Sequence, residues 1–252
     1  MKINGLGALV TGGGSGLGQA VARMLAAEGG VVTVLDRNGD AAEAMAKELS
    51  GKAAVGDVTS EADVMAAIKT ATNAAPLRIV VNCAGIGPPQ KMVGRDGPMP
   101  LADFETVIRV NLIGTFNVMR LAAAEMTAME PLDDNARGAI VNTASVAAFD
   151  GQIGQGAYSA SKGGIVGMTL PIARELARSG IRINTIAPGI FKTPLLASLP
   201  EEAQQSLGHQ VPYPSRLGDP SEFANAVKFC IETQYLNAEV IRLDGGIRMA
   251  PK

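Results

Sequence analysis

The stretch ALVTGGGSGLGQA, residues 8–20, sets an apolar run against an amphipathic one, with glycines between them at positions 12, 13, 14, 16 and 18. Glycine lets a backbone turn tightly and come close to a ligand. A helix opening on such a turn offers unpaired N–H groups and a positive dipole end to an anion. Strand, glycine turn and helix together make a phosphate cradle. The spacing departs from two familiar loops. The glycines do not fall as G-x-G-x-x-G, and Gly18 is followed by Gln19 and Ala20 rather than by the Lys and hydroxyl residue of a triphosphate loop. A glycine-rich turn with no ligand is the plainer alternative, so the identity of the phosphate must be read from other residues.

Outward from the loop, short runs rich in Val and Ile recur at 6–11, 31–36, 52–55, 77–84, 138–145, 181–188 and 239–245. Most do not alternate apolar with polar, as expected of strands covered on both faces. Helical periodicity fills the intervals 17–29, 40–49, 61–74, 101–129, 155–179 and 219–232. Alternating strand and helix calls for right-handed crossovers and a doubly wound parallel sheet, an α/β Rossmann fold with helices on both faces. No linker-like stretch divides residues 1–252, which read as one domain. Two long irregular stretches, 85–100 and 189–220, follow the fourth and sixth strands, at the sheet end where such folds bind ligands. The second is read as a substrate loop, or equally as an oligomer contact because of its apolar TPLLASLP.

Composition narrows the function classes. Apolar residues make up 47% of the chain and aromatics only 4%, which suits close helix–sheet packing through small side chains. Net charge is −2 with scattered Lys and Arg, so neither nucleic acid nor an anionic membrane is an expected partner. No apolar run in the sequence approaches the roughly 20 residues of a membrane span. Two lone cysteines and an N-terminus without a leader pattern lead to the expectation of a reducing, cytoplasmic setting. The single histidine, His209, and well-separated thiols suggest no metal.

Asp36 ends the second strand, 24 residues after Gly12, where a dinucleotide fold places a carboxylate for the adenosine ribose. An ionised Asp accepts hydrogen bonds from a 2′,3′-diol and repels a 2′-phosphate, which favours NAD over NADP. Arg37 keeps the other cofactor open, since a basic neighbour could hold that phosphate. The second informative stretch is NTASVAAFDGQIGQGAYSASKGG, 142–164. Tyr158 and Lys162 lie four apart and share a helix face. A Tyr of ordinary pKa near 10 is a poor acid–base group at neutral pH, and a neighbouring ammonium favours the phenolate. Ser145 could orient a substrate oxygen while Tyr158 moves its proton, enough to polarise a carbonyl for hydride transfer without a metal.

At this point the motifs TGGGSGLG, NCAG at 82–85, NLIG at 111–114, Ser145, YSASK at 158–162 and APG at 187–189, in this order, resemble the short-chain dehydrogenase/reductase family. Longer stretches, including GAYSASKGGIVGMTLPIAREL and EVIRLDGGIRM, are similar to its type II 3-hydroxyacyl-CoA dehydrogenase branch. The resemblance implies an NAD-dependent homotetramer that oxidises a secondary alcohol on an acyl-CoA, and often on steroids. It assigns Tyr158 as acid–base, Ser145 as substrate orienter, and Lys162 to the tyrosine and the nicotinamide ribose. Asn111 would position the lysine and a proton-relay water. Gly12, Gly16 and Gly18 would form the pyrophosphate turn, touched by Ser15 and Leu17. Asp57 and Val58 would flank adenine, the Cys83 backbone would close over the adenosine ribose, and Phe191 and Thr193 would meet the nicotinamide end. Gln152 would face substrate. Cys83 is read as a small buried residue rather than a nucleophile. Lys192 either anchors an anionic substrate group or points to water. Competing readings are an NADPH-linked 3-oxoacyl reductase, which Asp36 opposes, a hydroxysteroid dehydrogenase, and a non-catalytic dinucleotide-binding regulator, which the complete Ser145, Tyr158, Lys162 and Asn111 set disfavours.

Overall fold

Valines, isoleucines and alanines that alternate between the two faces of a strand can be buried on both only if helices cover each face. The computed structural model, which describes residues 1–197 and 200–251, has that layering. In chain order the first half runs β1 (Gly7–Thr11), α1 (Gly16–Ala27), β2 (Val31–Asp36), α2 (Gly39–Glu48), β3 (Lys52–Val55), α3 (Glu61–Ala74) and β4 (Leu77–Asn82). A small hairpin, β5 (Val93–Gly94) with β6 (Gly97–Pro98), leads to α4 (Leu101–Ile108), a π-helical turn (Arg109–Ile113) and α5 (Gly114–Thr127). Then follow β7 (Gly138–Thr143), α6 (Gly156–Leu176), β8 (Ile181–Pro188), α7 (Pro194–Ala197), α8 (Glu201–His209), α9 (Pro220–Glu232) and β9 (Val240–Leu243). The large sheet has the order β3-β2-β1-β4-β7-β8-β9, every pair parallel. Strand order reverses between β1 and β4, which opens a crevice at their carboxyl ends.

Each face has its own core. Val10, Val34, Ile79, Val81 and Ile186 point toward α1 and α9, where they meet Val21, Leu25, Phe223 and Val227. Their neighbours Leu9, Leu35, Val80, Ile140 and Ile183 point the other way, onto Val64, Ile68, Val118, Met119 and Met126. Gly18, Val21, Ala22 and Leu25 are the buried positions of α1, a helical stripe that fixes which side of the helix meets the sheet. The N-terminus of α9 is closed by a capping box between Asp219 and Glu222, with Pro220 in the first turn.

Four details differ from the sequence reading. β3 is an edge strand with Lys52 and Val55 exposed, because no strand lies beyond it. The helix expected over 101–129 is interrupted by the π turn at 109–113. Residues 189–220 are less irregular than expected and hold α7 and α8, although Ser198 and Leu199 of the TPLLASLP stretch lie outside the described residues. Finally, the continuous helical run Leu101–Thr127 reaches by length and composition what a membrane span requires. Half of that window is buried inside the protein, the condition of a core helix packed on a sheet.

Arg182 on β8 is buried with no acidic partner among the described residues, and its guanidinium instead caps the end of α9. Nη1 donates to Cys230 O (2.7 Å) and Leu236 O (2.8 Å), and Nη2 to Ile231 O (2.6 Å). Arg182→Leu leaves these carbonyls unsatisfied and is expected to cost about 2–4 kcal/mol of unfolding free energy, read from denaturant midpoints.

Candidate active site

The site is built where β1 and β4 part. Thr11, the last residue of β1, turns its Oγ1 across the gap and accepts from the N–H groups of Cys83 and Ala84, each at 3.2 Å. Gly12 follows with φ +62°, and a Cβ there would stand 2.8 Å from Ala84 Cα. A Cβ at Gly18 would collide with the Gly12 carbonyl oxygen. The turn and the start of α1 are thus pressed together with no room for side chains, and the helix N-terminus faces the crevice. Asp36 is held from behind, since Oδ2 accepts from Gly14 N (3.0 Å) and Oδ1 from Asn38 N (3.0 Å). Each oxygen keeps a lone pair for a diol.

A cleft of about 680 Å³ runs from this turn past the carboxyl ends of β4, β7 and β8. Gly12, Ser15, Gly16, Leu17, Gly18, Asp36, Asp57, Val58 and Cys83 line it at one end, and Ser145, Gln152, Tyr158, Lys162, Phe191 and Thr193 line the rest. Of the residues proposed from sequence, Asn111 and Lys192 are absent from the lining. Asn111 is completely buried in the π turn behind the cleft. The glycine turn and the oriented carboxylate are a donor set that suits a dinucleotide's pyrophosphate and ribose.

Ser145 caps a short 3₁₀ turn at 146–148, and its Oγ accepts from Ala147 N at 3.1 Å. One lone pair is spent on the backbone, which leaves the hydroxyl proton to be donated. Tyr158 stands on the first turn of α6, and its ring packs against Gly87, where a Cβ would come within 3.0 Å of it. Burial raises the phenol above its usual pKa, and a hydrogen bond with Ser145 pulls it back down. Lys162, to which the sequence also gives that lowering, lies over the face of the same ring. The ammonium sits 5.7 Å from the centre of the Tyr158 ring and gives one hydrogen bond to Thr143 O at 2.7 Å. Burial among apolar groups lowers its own pKa to about 8.

Asn111 makes its direct hydrogen bonds to the loop after β4 and to α6. Its Oδ1 accepts from Ile86 N (2.8 Å), and its Nδ2 donates to Ile86 O (2.8 Å) and to Ser161 Oγ (3.0 Å). Ser161 in turn donates to Tyr158 O at 2.7 Å. Asn111 therefore pins the 85–87 loop to the turn of α6 that carries Tyr158, and bonds the lysine through no direct contact. The extra residue of the π turn aims its side chain inward. The Cys83 thiol receives a hydrogen bond from Thr143 and is pushed up to about 11 by burial, which keeps it a protonated packing group. Phe191 turns its ring into the core, edge-on to Phe223 at 6.2 Å, so it meets the cleft over a small area only. Arg37 lies 3.6 Å from Asp57, and Lys192 is exposed outside the cleft lining. Thr11, Thr143 and Ser161 went unnoticed in the sequence because their partners are brought to them only by the fold.

Burying Lys162 carries a pH signature. Its ordinary pKa is 10.5 and its folded one about 8, so between these values the unfolded chain binds more protons and folding gains stability as pH rises. In melts without cofactor, Lys162→Met is expected to be at least as stable as the parent at pH 7. That advantage should shrink as pH climbs from 8 to 10.5, and a constant difference would contradict the assignment.

Comparison with known proteins bears on this arrangement. The family model described as short chain dehydrogenase matches residues 7–204. The chain is 55% identical over 255 residues to 3-hydroxyacyl-CoA dehydrogenase type-2 of Bos taurus, covering 99% of this chain and 98% of that protein. It is 37% identical over 256 residues to a 3-oxoacyl-(acyl-carrier-protein) reductase of Aquifex aeolicus, covering 98% and 99%. The crystal structure of 3-hydroxyacyl-CoA dehydrogenase type-2 from Mycobacterium avium superposes with a TM-score of 0.96 at 45% identity, over 98% of each chain. With a doubly wound parallel sheet, a glycine turn at the strand-order reversal and Ser145, Tyr158 and Lys162 around one cleft, the chain belongs to the short-chain dehydrogenase family.

Proposed function

We propose that this chain is an NAD-dependent dehydrogenase that oxidises the secondary alcohol of a 3-hydroxyacyl-CoA to the ketone. The observation that carries the reading is the convergence of Ser145, Tyr158 and Lys162 on the cleft whose other end holds Asp36. Full-length relatives named for 3-hydroxyacyl-CoA support the substrate class. The choice of NAD rests on Asp36, since both carboxylate oxygens are fixed toward a diol by backbone N–H groups and would repel a 2′-phosphate. Arg37, the one basic neighbour that could reverse this, is drawn toward Asp57. When bound, the nicotinamide dinucleotide accepts the hydride that leaves the alcohol carbon. Gly12, Gly16 and Gly18 would hold its pyrophosphate, Asp36 its adenosine ribose and Lys162 its other ribose.

The chain's own work is proton transfer and orientation. Ser145 directs its hydroxyl hydrogen bond at the substrate oxygen, while its Oγ is held by the bond that it accepts from Ala147 N. Tyr158, as phenolate, takes the proton from the substrate hydroxyl. The Lys162 ammonium, on the ring face, favours that phenolate wherever it carries its charge. In the reverse direction the protonated phenol returns the proton to the ketone. A homotetramer in the cytoplasm belongs to the same proposal, and light scattering of the purified protein tests the assembly.

Alcohol oxidation needs deprotonated Tyr158, which burial holds above its usual range, so kcat/KM for oxidation should climb as pH rises through the alkaline region while ketone reduction declines. Tyr158→Phe should lower kcat about 10³-fold and keep NAD affinity within a few-fold, by stopped-flow assay and calorimetry. Retained turnover on 3-hydroxybutyryl-CoA would remove Tyr158 from the mechanism. Failure of the parent with every 3-hydroxyacyl-CoA, while NAD binds, would refute the substrate class.

Cofactor choice has its own test. Asp36→Ala should weaken NAD binding about 10–100-fold, the value of lost charged hydrogen bonds, and raise the relative affinity for NADP. An unchanged NAD to NADP ratio would contradict the role given to Asp36.

A further inference from the structure

Past β9 the chain folds back over the end of the cleft away from the glycine turn. Ile247 is buried and anchors this strap, and Met249 lines the cleft together with Ser145, Gln152 and Tyr158. Two hydrogen bonds tie the strap to the loop before α6: Gln152 Nε2 donates to Ala250 O and Ile153 N to Pro251 O, both at 3.0 Å. The same loop is bonded on its other side, since Gln90 N donates to Gly154 O at 2.8 Å. Three segments far apart in sequence thus lie side by side as one wall.

Arg242 fastens the base of that wall. Its Nε donates to Asp244 (2.8 Å), and its Nη2 donates to Asp150 (2.6 Å) and to Ile247 O (3.1 Å). The guanidinium also covers the Phe149 ring at 5.1 Å. One partly buried cation therefore couples β9, the loop after β7 and the strap. Leu196 and Leu207 line the cleft from the 189–220 segment, so an apolar substrate tail would meet them as well as Met249.

We propose that Met249 is a specificity-determining wall of the acyl subsite, limiting the chain length accepted, and that Gln152 is a positioning residue acting through the strap rather than by holding substrate. The inference rests on the 3-hydroxyacyl-CoA reading above. One N–H of the Gln152 amide reaches Ala250 O, and its backbone N–H is taken by Gln155 Oε1 at 2.9 Å, which ties the residue to the wall. Methionine is unbranched and deformable, a suitable lining for a variable tail.

The test measures kcat/KM for four-, eight- and twelve-carbon 3-hydroxyacyl-CoAs, with melting temperature and NAD affinity as folding controls. Met249→Ala should shift the ratio of long- to short-chain kcat/KM upward about tenfold, and Met249→Trp should shift it downward. Gln152→Ala should move the ratio as Met249→Ala does, with the double variant no further displaced than the larger single change. A ratio indifferent to both Met249 variants, in folded protein active on the four-carbon substrate, overturns the wall. Additive effects of Gln152→Ala and Met249→Ala overturn the positioning role. A parent inactive at every chain length overturns the acyl reading itself, and the subsite with it.

Discussion

Close approach of backbones at the ends of β1 and β4 is the constraint on which the rest of the molecule depends. Gly12 stands against Ala84 and Gly18 against Gly12, with Thr11 Oγ1 bridging to the neighbouring strand. Side chains there would push α1 off the sheet and the β4 loop away from the turn. Because they are absent, a helix N-terminus, a fixed carboxylate on β2 and the loop carrying Ile86 all face one crevice. A parallel sheet buried on both faces has little room for unpaired polar groups elsewhere, so the chemistry gathers at the strand ends.

The polar groups at the other end of the cleft are expensive to bury and are stabilised by hydrogen bonds that also set their aim. Lys162 donates a hydrogen bond to the Thr143 carbonyl, Ser145 Oγ accepts one from Ala147 N, and Asn111 spends its amide on Ile86 and Ser161. Each bond offsets desolvation and fixes a direction at once. The depressed pKa of Lys162 and the raised one of Tyr158 are consequences of this burial, which disfavours the charged form of each group.

Most elements were legible in the sequence because buried parallel strands leave unbroken Val and Ile runs and amphipathic helices leave periodic ones. β2 and β8 run over 31–36 and 181–188, the limits that periodicity gives. The edge exposure of β3 was not legible, because burial depends on a neighbour that a local window cannot supply. The π turn at Asn111 was hidden for a related reason: an apolar helical pattern does not register one extra residue.

What the sequence by itself determined is the alternation of elements, the glycine turn, the acidic end of β2 and the Ser145, Tyr158 and Lys162 set, since each is a local pattern whose chemistry follows from residue type and spacing. Only the tertiary structure decided what those side chains touch. It placed Lys162 on the Thr143 carbonyl, turned Phe191 into the core, gave Asn111 to the 85–87 loop and joined Gln152 to a strap almost one hundred residues away. Such partners are set by strand order and by the demand that buried polar atoms be satisfied. Neither leaves a mark in the sequence around the residue concerned.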